Sequence, residues 1–68
     1  MLIATERWNR AVNEEIRIGK PLDAAKRAVD RTHPGLRQMM LFEFHRENGN
    51  PQVAADWKRQ AVAAGFAE

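Results

Sequence analysis

Proline and glycine punctuation constrains this chain more than any other feature. Its three prolines and two of its four glycines fall where helix-length segments meet: Gly19 with Pro21, Pro34, and Gly49 with Pro51. A third glycine, Gly65, closes the last segment. Proline suits the first turn of a helix, where its missing N–H would have no partner anyway. Glycine suits the position just past a helix end, where the backbone turns left-handed. The spacing therefore predicts an all-α fold: one compact domain of four short helices spanning residues 1–68, a small helical bundle.

Apolar periodicity fills in the segments. The first helix is expected from Thr5, as N-cap, to Ile18, with Trp8, Ala11, Val12 and Ile16 in one stripe. The second runs from Pro21 or Leu22 to Thr32, with Leu22, Ala25, Val29 and Thr32 on its buried face. Its outer face carries two i,i+4 charge pairs, Asp23 with Arg27 and Lys26 with Asp30. The third opens at His33-Pro34-Gly35-Leu36, with His33 in the cap position. Leu36, Met39, Met40 and Phe44 share its apolar side. Leu41 and Phe42 lie about 100° and about 160° away from Met40. The fourth starts with Asn50 as N-cap and Pro51 in the first turn, and buries Val53, Trp57, Ala61 and Ala64. Phe66 is placed to fold back on Ala61 beyond Gly65. One core is expected to hold Trp8, Val29, Leu36, Met40 and Trp57.

Gly19-Lys20-Pro21-Leu22-Asp23-Ala24-Ala25 and Gly49-Asn50-Pro51-Gln52-Val53-Ala54-Ala55 share the pattern G-x-P-x-x-A-A. Either two helical hairpins are duplicated or helix-boundary chemistry simply recurs. Shared chemistry is the simpler account, since solenoids built on such a period need at least three units.

Size and composition narrow the function classes. A chain of 68 residues buries only roughly 60% of its unfolded surface and has a thin stability margin. It has no cysteine, so disulfides and thiolate zinc sites are excluded and a reducing cytoplasm is the expected setting. Met1-Leu2-Ile3-Ala4 is too short an apolar run for a signal peptide, and no later run is long enough to span a bilayer. A net charge of +2 does not by itself imply nucleic acid.

Candidate chemistry is sparse. His33 and His45 are the only imidazoles, and a metal site needs three or four ligands. Glu14-Glu15 and Glu43 with Glu47 are the available carboxylate pairs, in a fold with little volume for a water-poor cleft. No enzymatic activity, metal, organic cofactor or small-molecule substrate is expected. The densest apolar cluster, Met39-Met40-Leu41-Phe42 with Phe44, points instead to protein contact or self-association through Leu41 and Phe42, since adaptable Met residues favour contact surfaces. The alternative is a helix-turn-helix-like DNA-binding regulator, with Lys20, Lys26, Arg27, Arg31 and Arg37 on phosphates. Against it, the third helix offers Leu41 and Phe42 where polar side chains would read bases, and acidic residues interrupt the basic ones.

Gly19, Ala25, Val29, Pro34 and Leu36 form a pattern over residues 19–48 that resembles a short helix pair of tailed-phage and prophage proteins, including Mu-like head-assembly proteins. That family usually has an acidic residue after the proline, where this chain has Gly35. The resemblance implies a phage or prophage setting in a bacterial host cytoplasm, as an assembly component or as an inhibitor of a host protein. It carries no catalytic residues.

Overall fold

Four helices follow the proline and glycine breaks: α1 (Ile3–Arg17), α2 (Leu22–Thr32), α3 (Leu36–Glu47) and α4 (Pro51–Ala63). The computed structural model describes residues 2–67. Met1 and Glu68, the two ends of the expected domain, lie outside the described residues. There is no strand among the described residues, and the fold is a small all-α one.

The helices pack in series. α2 lies against α1, α1 against α3, and α3 against α4, while α2 hardly touches α3. The result is an elongated body of 38 × 22 × 19 Å. Its main core joins Ala4, Trp8 and Val12 of α1 to Ala25 and Val29 of α2 and Leu36 of α3, with Met39, Met40 and Phe66 packed around them. On α4 the buried residues are Ala54 and Ala61, seven apart on the face toward α3. Trp57 between them is only half-buried. The expectation that Trp57 anchors the core is therefore corrected: small alanines set the α3–α4 approach, and the indole rests at its margin.

Helix ends follow one local rule, used three times. Gly19, Gly49 and Gly65 have φ of 107°, 76° and 106°. Each is followed by a residue whose N–H donates across the turn: Lys20 to the Glu15 carbonyl, Asn50 to His45, and Phe66 to Ala61. These are Schellman stops, and the repeated G-x-P pattern is a Schellman glycine followed by a proline. The two copies differ in phase beyond it. Ala25, the second alanine, is buried in the first copy, whereas Ala54, the first alanine, is buried in the second. Recurring boundary chemistry explains the pattern better than duplication.

Several expected details differ. α1 begins two residues before Thr5, which is not its N-cap. α3 begins at Leu36, and His33 is the C-cap of α2, its N–H donating to Val29. His33-Pro34-Gly35-Leu36 is instead a type II turn. The Leu36 N–H donates to the His33 carbonyl at 3.1 Å, and Gly35 sits at φ 81°, ψ −5°, the geometry that requires glycine after proline. Asn50 precedes α4 as expected, but its side chain makes no cap hydrogen bond. Ile16, Leu22, Val53, Ala64 and Thr32 were expected in apolar faces and are exposed. Ile16 and Leu22 flank the α1–α2 turn with exposed Ile18. The core gathers at the opposite end of that hairpin, where α3 crosses, so the turn end has only two helices to cover it.

Candidate functional site

Among the described residues α3 is the only helix packed closely against two neighbours that are not joined to each other, α1 and α4. Its apolar residues consequently surround most of its circumference rather than one stripe. The face toward α1 carries Leu36 and, seven residues later, Glu43.

Glu43 is 6% exposed. Its Oε2 accepts the N–H of Ala4 at 2.8 Å, and its Oε1 accepts the N–H of Thr5 at 3.0 Å and the Thr5 hydroxyl at 3.2 Å. The carboxylate thus occupies the positive end of α1 and satisfies N–H groups that would otherwise lack partners. This explains why α1 starts without a local cap: the capping group arrives from α3. It also removes Glu43 from the carboxylate pair with Glu47, because its acceptor sites are engaged structurally.

Two grooves flank this clasp. One, of ≈ 350 Å³, is lined by Leu2, Thr5, Met40, Leu41, Phe44, Glu47 and Asn48. Leu41 and Met40 are half-buried in it, while Leu2 and Phe44 are 40% and 56% exposed. Phe44 was expected on the buried side of α3. It lies outside because the α1 contact centres on Leu36 and Glu43, which puts Phe44 on the flank. The second groove, of ≈ 400 Å³, lies between α1, α3 and α4. Phe42 is half-buried there, with the Arg46 guanidinium carbon 4.9 Å and the Lys58 ammonium 5.4 Å from its ring centre. Leu41 and Phe42, the two expected contact residues, therefore serve different surfaces.

The basic residues of the DNA-binding alternative do not form one unpaired set. Lys20 pairs with Glu15 at 2.8 Å, and Arg37 pairs with Asp30 at 3.4 Å. Lys26, Arg27 and Arg31 are exposed on α2. The expected pairs Asp23–Arg27 and Lys26–Asp30 are not formed, since Asp30 is turned to Arg37 on α3. Glu14 and Glu15 also stand apart functionally, each holding its own cation, Arg17 and Lys20. His33 bonds through Nδ1 to the Thr32 hydroxyl, and His45 stacks edge-on against Phe44. Among the described residues no three His, Asp or Glu side chains are grouped to hold a metal ion, and no helix is long and apolar enough to cross a membrane.

Sequence reasoning missed Phe44 and Leu2 in the first groove and Arg7, Arg46 and Lys58 in the second. The i,i+4 spacing of Phe42 and Arg46 was legible. Lys58 reaches the ring only through the α3–α4 packing. No family model, curated protein or solved structure matches the chain.

Proposed function

We propose that this chain is a non-enzymatic helical module that acts by protein–protein contact, and that its primary contact is a second copy of itself through the α1–α3 groove. The observation that carries this reading is Phe44, a large aromatic side chain 56% exposed beside an apolar groove built from Leu2, Met40 and Leu41. In a two-fold dimer the same patch meets itself. A protruding ring next to a groove is self-complementary in that arrangement, because each Phe44 can enter the groove of the other copy. The patch also carries little charge to repel its own image: among the described residues Glu47 is the single charged one in its lining.

Core size supports the same reading. The buried apolar set contains five alanines, and its largest fully buried side chain is Val29. A domain with so little core gains stability when its native state associates. The resemblance of residues 19–48 to a phage helix pair supports a phage or prophage setting, in a bacterial host cytoplasm. Self-association there suits an assembly component better than a host-directed inhibitor. DNA binding by Lys20, Lys26, Arg27, Arg31 and Arg37 is less supported, because two of the five are held in ion pairs and α2 and α3 do not pack on each other as a helix-turn-helix unit.

Sedimentation equilibrium tests the proposal. The parent chain should associate, and Phe44→Asp should shift it to monomer while keeping its helix content. Phe42→Asp should instead destabilise the fold. A parent that stays monomeric at high concentration, or a Phe44→Asp variant that associates like the parent, would refute it.

A further inference from the structure

The second groove has a different character. Three helices each send one cation to it: Arg7 from α1, Arg46 from α3 and Lys58 from α4. None of the three forms an ion pair with a carboxylate among the described residues, while Arg17, Lys20, Arg37 and Arg59 all do. Among the described residues the one carboxylate in the groove wall, Glu43, is already committed to the N-terminus of α1. Arg46 and Lys58 both lie against the one Phe42 ring, so two like charges share one apolar side chain. Ile3, Met39 and Phe66 supply apolar wall beside them.

We propose that this groove binds an acidic, partly apolar segment of a partner protein, with carboxylates set against Arg7, Arg46 and Lys58. An anionic segment in the groove offsets the positive charge that Arg7, Arg46 and Lys58 together bring to it. A peptide fits better than a nucleic acid for two reasons. Single-strand binding needs open aromatic faces for base stacking and a basic track along the backbone. Here the Phe42 ring is half-buried and already engaged by cations, and Arg7, Arg46 and Lys58 line one short groove rather than a line along the surface. The surface is separate from the Phe44 groove, so it is available in monomer and dimer alike.

The test is fluorescence anisotropy with a short fluorescein-labelled peptide of glutamate and leucine. The comparison probes are the same peptide with glutamine for glutamate, a labelled oligothymidylate, and inorganic phosphate as competitor. The glutamate peptide should bind, more weakly as salt rises, and the glutamine peptide should not. Arg46→Gln with Lys58→Gln should weaken binding at least about tenfold, and Arg7→Gln, which touches neither ring contact, should weaken it too. Lys26→Gln with Arg27→Gln, which removes equal charge from α2, should change binding by less than about twofold. Circular dichroism should show parental helix content in every variant, since all five side chains are exposed. Equal loss in the α2 variant would mean net charge alone is responsible. Tighter binding of the oligothymidylate would make the groove a nucleic-acid surface, and displacement by phosphate would make it a small-anion site. Each of these three results would overturn the proposal.

Discussion

Replacing Gly35 with alanine should destabilise this fold more than the same change at any other glycine. Gly35 has φ of 81°, and a left-handed backbone costs an L-residue about 1–2 kcal/mol. A second cost comes from space. A Cβ at Gly35 would sit 2.5 Å from the Ala61 carbonyl oxygen and 2.6 Å from the Phe66 Cβ. Neither atom is the end of a flexible side chain. The Schellman turn after α4 would have to lift off the α2–α3 turn, taking Phe66 away from the core. Forced overpacking of this kind costs about 1–3 kcal/mol, so Gly35→Ala should lose about 2–5 kcal/mol in all. Gly49 is the internal control. Its φ is 76°, but a Cβ there meets nothing within 4 Å, so Gly49→Ala should lose only about 1–2 kcal/mol. Asparagine tolerates the left-handed region, so Gly49→Asn should be milder still, while Gly35→Asn keeps the clash. Urea unfolding followed by circular dichroism measures all four. Equal losses at Gly35 and Gly49 would refute the contact between the α4 end and the α2–α3 turn.

Glu43→Ala should cost about 1–3 kcal/mol, because it leaves the Ala4 and Thr5 N–H groups without their acceptor. Glu43→Gln should cost less, and amide exchange at Ala4 and Thr5 should quicken in both; unchanged exchange would mean that the clasp does not form. Trp8 is 6% exposed in the core, so Trp8→Ala should cost about 3–5 kcal/mol. The half-buried Trp57 should cost clearly less, and equal thermal shifts for the two would show Trp57 to be a core residue after all. Asp30→Asn removes the exposed pair with Arg37 and should change stability by no more than about 1 kcal/mol, read from the urea midpoint.

The breaks between helices were legible because their causes are local. Gly19, Gly49 and Gly65 stop helices, each letting the next residue's N–H reach a carbonyl five residues before it, and Pro51 starts one. Errors arose where the cause lies elsewhere in the chain. The start of α1 is fixed by Glu43, which is 39 residues from Ala4, so no local cap marked it. The His33-Pro34-Gly35-Leu36 segment contains a legible cue, a Pro-Gly dipeptide typical of a type II turn, which outweighs Pro34 as a helix start. The departure from local pattern is largest at α3. A helix held between α1 and α4 needs apolar residues on several sides rather than one stripe, and periodicity alone cannot say which of Leu41, Phe42 and Phe44 remains outside. The same blindness hid the cation groove, whose members come from α1, α3 and α4 and meet only through packing.

A dilution series of ¹⁵N–¹H NMR spectra tests the central claim, association through the α1–α3 groove, most directly. Amide shifts of Leu2, Thr5 and Met40 to Asn48 should move with protein concentration, while those of α2 stay fixed, and Phe44→Asp should abolish the movement. Spectra that do not change with concentration, or changes centred on Ile16, Ile18 and Leu22 at the α1–α2 turn, would contradict it.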